Sequence, residues 1–432
     1  MHIEELYQLF LQHPSVQTDT RKLKDGDLFF ALKGDNFNGN KFALQALEKG
    51  AAYAIVDEAV TGVNHRMIMV DDVLTTLQQL AKHHRLQINS LPNGRQVPFL
   101  AITGSNGKTT TKELVHAVLS SHFKTYTTEG NLNNHIGIPL TLLKVKTDAE
   151  IAVIEMGANH QNEIAGYCAY ILPTHALINN VGKAHLEGFG GIEGVKKGKG
   201  ELYDYIRETN GSIFINTDFD YLQEMSKGIE KKISYGTKDA STTGHLISSE
   251  PFLVVQIDTE PEIGEINTHL VGDYNLPNVL AAVSVGLNFG VPPKKIRSAI
   301  ENYLPSNSRS QMIESGTNKI ILDAYNANPS SMKLAIENFA KLSAEKKVLM
   351  LGGMAELGDE SLAEHQDIIR LIEQFKWHSV ILVGGDFAKL SQSFHYFNNS
   401  VEAREWFNSQ QFTNTHLLIK GSRSMKMEEI LS

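Results

Sequence analysis

Ala101-Ile102-Thr103-Gly104-Ser105-Asn106-Gly107-Lys108-Thr109-Thr110-Thr111 decides the fold of this chain. The apolar run Val97 to Ile102 leads into it and reads as a buried strand, and Leu114, Val115, Val118 and Leu119 follow at helical spacing. The glycines therefore sit on a strand-to-helix turn, where the N–H groups and dipole of the helix start favour an anion. Gly104, Ser105, Asn106 and Gly107 can wrap phosphate oxygens, Lys108 supplies a point charge, and Thr109 and Thr110 offer hydroxyls, that of Thr109 to Mg²⁺. A standard phosphate loop would place its first glycine at Ile102, so this loop is a short variant, unlike that of a generic GTPase or kinase.

Outward from the loop, two further apolar strands end in polar chemistry. Ile151 to Ile154 runs into Glu155-Met156-Gly157-Ala158, and Ala176 to Val181 runs into Gly182-Lys183-Ala184-His185. Apolar strands separated by helices imply a parallel sheet covered on both faces, with ligands at the strands' carboxyl ends. Lys108, Glu155 and His185 all fall just after such an end, and Glu155 is a candidate metal carboxylate. The Lys196-Lys197-Gly198-Lys199-Gly200-Glu201 run reads by itself as a solvated charged face. Asn275 reads as the cap of a helix running through Ala282.

The 432 residues are too many for one core. Residues 1–93 read as a small α/β domain, 94–305 as a P-loop ATPase-like parallel-sheet domain, and 306–432 as a Rossmann-like α/β domain. The breaks fall at Ser90-Leu91-Pro92-Asn93-Gly94 and near Pro305 to Ser308. The last domain lacks a G-x-G-x-x-G, so dinucleotide binding is not expected there. Its strands end in loops 323–329, 352–358 and 420–423, which the strand-end rule puts on one face. In the first domain, the polar loops 18–21 and 33–39 read first as solvated surface, with an anion and sugar contact as the alternative, in which Arg21 could fork onto a phosphate.

A net charge of −9 argues against nucleic acid as a partner. The single cysteine, Cys168, excludes an internal disulfide. No apolar run reaches transmembrane length and the first residues lack a signal-peptide core, so no membrane insertion and a cytoplasmic location are expected.

Thr103 to Thr110 resembles the short phosphate loop of the Mur ligase family. Glu155-Met156-Gly157-Ala158, His185 and Asn275 to Ala282 follow in that family's order. Asn131 to Asn134, Tyr325 to Met332, Met354 to Gly358 and Lys420 to Arg423 are similar to the branch that joins D-alanyl-D-alanine to UDP-N-acetylmuramoyl-tripeptide. The resemblance implies a three-domain, monomeric ligase using ATP and Mg²⁺. Lys108, Glu155, His185 and Lys199 would be catalytic, with Thr109, Glu155, His185 and a carbamate on Lys199 at the metals. Asn278, Arg309 and Asp323 would join the loop in binding ATP. Thr20, Arg21, Asn133 and Asn134 would hold the UDP-muramoyl peptide, and Tyr325, Asn326 and Asn328 the dipeptide. Thr20 keeps the hydroxyl of the family's usual serine. The competing readings are another Mur ligase, a folylpolyglutamate-type ligase, a P-loop switch or a nucleotide-binding scaffold.

Overall fold

A computed structural model describes residues 1–59, 65–90, 94, 96–306, 308–391 and 393–432. Leu91, Pro92 and Asn93 of the expected first break lie outside the described residues, as does Asn307 of the second. Contacts group the chain into two units. The first holds residues 1–102, 123–157 and 163–176; the second holds 103–122, 158–162 and 177–432.

In the first unit, Val16–Gln17, Leu28–Phe30, Tyr53–Val56 and Met67–Met69 pair in parallel in that order. The loop expected at 33–39 contains a short hairpin, Lys33–Gly34 against Phe37–Asn38. The Phe99–Thr103 strand pairs in parallel with Ile151–Glu155, which pairs in turn with Thr125–Thr127. Every residue of Phe99–Thr103 and Ile151–Glu155 is buried, as near-continuous apolar runs require.

The helix Val73–Ile88 ties these parts together. Its buried stripe runs Val73, Leu77, Leu80, Ala81, His84, Arg85 and Ile88, and it packs on the helices Gly137–Lys144 and Glu163–Ile171. Arg85 is 2% exposed, donates to the carbonyls of Ile171 (3.0 Å) and Leu172 (3.2 Å), and lies 3.7 Å over the Phe99 ring. Those carbonyls close a helix, so the negative end of its dipole faces the buried cation. His84 accepts from the Tyr7 hydroxyl at Nδ1 and donates from Nε2 to the Val145 carbonyl.

In the second unit, the helix Lys108–Ser120 packs against Leu276–Asn288. The strands Ser212–Asn216, Lys231–Gly236 and Thr242–Ser248 run in parallel, with Val254–Ile257 and Glu265–Asn267 added antiparallel. The strand expected at Phe252 to Val255 is thus displaced to Val254–Ile257.

The last third forms its own sheet, in the order Gln311–Ser315, Asn318–Asp323, Thr415–Lys420, Lys346–Gly352, Ser379–Val383 and His395–Phe397. All neighbours are parallel except the first pair, an antiparallel hairpin. The two edge strands, Gln311–Ser315 and His395–Phe397, have no place in the sequence reading. They are short and not apolar runs, and pairing rather than propensity makes them strands.

His365 is fully buried, accepts from the Met354 N–H at Nε2 (3.0 Å), and donates from Nδ1 to the Ser361 carbonyl (2.7 Å). Burial pushes both His84 and His365 below the ordinary histidine value. Unfolded histidines gain protons below about pH 6.5, whereas these two resist protonation while folded. Their contribution to stability is present above that pH and is lost as pH falls through the lower folded values. The melting temperature should therefore drop between pH 7 and pH 5, and His84→Gln should flatten part of that slope. A wild-type melting temperature constant over this range would contradict the assignment.

Candidate active site

The phosphate loop begins where the Phe99–Thr103 strand ends and closes at Gly107, which caps the helix Lys108–Ser120 at φ 77°. A Cβ on Gly107 would lie 2.8 Å from Asn278 Oδ1, and one on Gly104 would lie 2.9 Å from the Asn179 Cβ. Only glycine gives both this backbone and this closeness.

Asn180 pins the turn. The Ser105 N–H donates to its carbonyl, the Asn106 N–H donates to its side-chain oxygen (2.9 Å), and its amide nitrogen donates to the Asn106 carbonyl (3.2 Å). Ser105 Oγ donates to the Gly182 carbonyl (3.0 Å) and accepts from the Gly182 N–H (2.9 Å). Beneath the loop, Asn179 donates to Thr111 Oγ1 (2.7 Å), Thr111 donates to Asn278 Oδ1 (3.0 Å), and Asn278 donates to Asn275 Oδ1 (2.8 Å). Asn275 stands at the start of the helix Leu276–Asn288 but makes no side-chain cap; its amide donates to Val271 instead. The capping expectation is corrected because buried amide partners compete for the same side chain.

Lys108 folds back so that Nζ donates to the loop carbonyls of Gly104 (2.7 Å) and Ser105 (3.3 Å). Its charge thus already stands on the loop. Thr109 is buried, and Thr110 is partly exposed on the first helical turn.

His185 takes a left-handed backbone (φ 53°), and its Nδ1 meets Glu356 Oε2 at 2.5 Å. A carboxylate on Nδ1 makes that nitrogen the donor and turns Nε2 outward as an acceptor. The hydrogen bond from His185 holds the Glu356 carboxyl below its ordinary range. Glu356 is itself at φ 62°, and its carbonyl accepts from the Glu187 N–H.

Lys199 overturns the reading of its run as solvated surface. It is 1% exposed on the helix Ile192–Thr209, in the stripe Val195, Gly198, Lys199, Leu202, Tyr203 and Ile206. Nζ donates to the Ala158 carbonyl (3.1 Å) and lies 5.0 Å from the Phe189 ring centre. A helical stripe centred on an apolar face could have identified it.

The last third delivers its strand ends to one place, as expected. Asp323 accepts from Lys420 Nζ at 2.5 Å and from the Ser310 N–H, and Ser422 Oγ donates to the Gly353 carbonyl. The Asn326 carbonyl also accepts from Lys420. The Arg309 guanidinium lies 3.6 Å over the Tyr325 ring, with Arg423 at 5.7 Å. Asn328 caps the helix Pro329–Lys341 and donates to Asn106 Oδ1 (2.8 Å). Lys183 contributes twice: its N–H donates to Ser330 Oγ and its Nζ pairs with the buried Glu364. Sequence alone assigns Asn179, Asn180, Lys183 and Glu364 no role; paired amides at a strand end beside a glycine turn were the available signal for the first two.

The remaining candidates lie in the first unit. Glu155 is 1% exposed, accepts from Asn133 (2.7 Å) through Oε1, and donates from its N–H to Thr128 Oγ1. Asn134 accepts from the N–H groups of Ile136 and Gly137, which shapes the turn into the next helix. Arg21 is exposed and forks onto Asp19, whose carboxyl it pulls down to about 2. The Thr20 carbonyl accepts from Lys49.

Family models match most of the chain. The Mur ligase family catalytic domain matches residues 14–85, the Mur ligase middle domain 102–286, and the Mur ligase glutamate ligase domain 308–423. The chain is 35% identical to the UDP-N-acetylmuramoyl-tripeptide–D-alanyl-D-alanine ligase of Bacillus subtilis, covering 96% of this chain and 92% of that one. It is 35% identical to the enzyme of the same name from Haemophilus influenzae over 98% and 93%. Among solved structures it is similar to MurF from Acinetobacter baumannii, with a TM-score of 0.85 and 30% identity over 96% and 92% of the two chains. A Mycobacterium tuberculosis folylpolyglutamate synthase shares the fold alone, with a TM-score of 0.60 and 15% identity over 82% and 96%.

Gly107→Ala should push Asn278 out of its network and strain the helix start. The expected result is at least a tenfold loss of nucleotide affinity by calorimetry, since removing one buried interaction and adding strain costs about 2 kcal/mol. Gly130→Ala is the control, because a Cβ there meets open space. Equal affinities for the two variants would refute the packing argument.

Proposed function

The chain belongs to the Mur ligase family, and we propose that it is the ATP-dependent ligase joining D-alanyl-D-alanine to UDP-N-acetylmuramoyl-tripeptide in peptidoglycan precursor synthesis. The observation that carries this reading is the near-full-length match to relatives of that one activity. No described helix is long and apolar enough to cross a membrane; a cytoplasmic location is part of this proposal.

Forming an amide from a carboxylate at neutral pH needs a better leaving group than hydroxide. The peptide carboxylate attacks the γ-phosphorus of ATP; the bond to the bridging oxygen breaks, and ADP departs. The dipeptide amine attacks the acyl phosphate, loses a proton, and inorganic phosphate leaves. Such transfer rests on positioning and charge neutralisation. The loop N–H groups and Lys108, swung from the Gly104 carbonyl, supply both. Asn278, Arg309 and Asp323 would complete the nucleotide site, and Tyr325 and Asn326 would receive the dipeptide, the Asn328 side chain being taken up by Ser331 and Asn106. Thr20, Arg21, Asn133 and Asn134 would hold the UDP-muramoyl peptide.

The donor chemistry fits magnesium. Thr109 offers a hydroxyl and His185 an Nε2 directed by Glu356, while Glu155 offers a carboxylate held by Asn133. When bound, magnesium neutralises phosphate charge. A carbamate on Lys199 would turn a buried cation into an anionic ligand, and burial at 1% exposure supports a specific duty for this amine.

ADP release should require UDP-N-acetylmuramoyl-tripeptide and D-alanyl-D-alanine together, and a folate should not replace them. Release with either substrate alone, or with a folate, counts against this reading. Lys108→Ala should abolish positional isotope exchange in ATP, and near-normal exchange sinks its assignment.

Lys199→Ala should be inactive and regain partial activity with added short carboxylates. Wild-type activity without them would refute the carbamate.

A further inference from the structure

We propose that Asn328 is a positioning residue for the phosphate loop, whose working shape is completed by the C-terminal third. The inference rests on the ATP-dependent reading above and goes beyond it by naming what holds the loop.

The Asn328 side chain is divided between two tasks. Its Oδ1 accepts from the Ser331 N–H at 2.9 Å, the usual N-cap contact of the helix Pro329–Lys341. That contact requires the oxygen, so the nitrogen faces Asn106 and donates to its Oδ1 at 2.8 Å. Asn106 is 222 residues away in sequence. Its backbone is held on the other side by Asn180 through N–H and carbonyl alike. Asn106 is therefore clamped between a strand end and the cap of a helix from another part of the chain, one residue before Gly107, whose backbone is left-handed.

A second contact seats the same helix turn. Ser330 Oγ accepts from the Lys183 N–H at 3.0 Å, and a Cβ on Gly182 would come within 3.0 Å of that oxygen. Gly182 in turn donates to Ser105 Oγ in the loop. The first turn of this helix thus touches the loop's side chain at Asn106 and the strand end that carries its backbone. Asn328 is buried and its bond to Asn106 is partly so, which limits competition from water.

Capping and clamping can be separated chemically. Serine and aspartate both cap helices well. Serine cannot reach Asn106, and aspartate presents an acceptor to an acceptor. Asn328→Ser and Asn328→Asp should melt within about 3 °C of wild type, while Asn328→Ala, which also loses the cap, melts lower. Asn328→Ser should lower kcat and nucleotide affinity by about three- to tenfold, the worth of one such hydrogen bond, with a larger loss for Asn328→Asp. Asn106→Ala should match Asn328→Ser, and the double variant should lose no more than either single one.

Calorimetry with ADP reads the loop without turnover, so the proposal is decided even where the ligase assay fails. Loss of substrate-dependent ADP release in wild type overturns the ligase reading instead. Wild-type affinity and kcat in Asn328→Ser, or fully additive losses in the double variant, overturn the positioning role.

Discussion

A phosphate site must present backbone N–H groups in a fixed curve before any phosphate is there to hold them. Everything around residues 104–109 answers that constraint. Asn180 takes the Ser105 and Asn106 N–H groups and one carbonyl, so these two N–H groups set the curve rather than face the anion; Ser105 exchanges hydrogen bonds with Gly182, and Asn179, Thr111, Asn278 and Asn275 form a buried relay beneath. The partners are nearly all amides and hydroxyls. Such groups both donate and accept without adding net charge, so the anion meets an ordered but unneutralised surface. Lys108 is the exception, and it rests on loop carbonyls that a phosphate can outbid.

A second set of contacts, two of them charged pairs, joins the loop and its neighbouring strand end to the last third. His185 with Glu356, Lys183 with Glu364 and Ser330, and Asn106 with Asn328 join residues far apart in sequence. Ligase chemistry asks that an acyl phosphate be kept from water until the amine arrives. Contacts that seat the last third on the loop suit that demand.

Local pattern and tertiary position account for what could be read from sequence. The phosphate loop was legible because strand, glycines, Lys108-Thr109 and helix are contiguous and each has a local cause. The central strands of both sheets were legible as apolar runs. Lys199 and Arg85 were not, for one shared reason. Each is a charged residue in a helical stripe whose other members are mostly apolar or small, as with Val195, Leu202 and Tyr203 around Lys199. A window of composition sees their charge, and only the 3.6-residue period sees that they face inward. Asn275 failed differently: its position at a helix start was right, but a buried partner took the side chain. The Asn106–Asn328 bond had no local signal at all, because its two ends lie in different motifs.

Arg85 has a consequence for how the chain is made. Its acceptors, the carbonyls of Ile171 and Leu172, are synthesised long after it. A guanidinium cannot be buried without partners at a cost of only a few kcal/mol. The growing chain therefore cannot complete the helix Val73–Ile88 in its native surroundings when residue 88 leaves the ribosome. Arg85 takes up these two hydrogen bonds only once the segment ending at Leu172 has emerged. In vectorial synthesis the packing of this helix is consequently completed by residues that follow the phosphate loop.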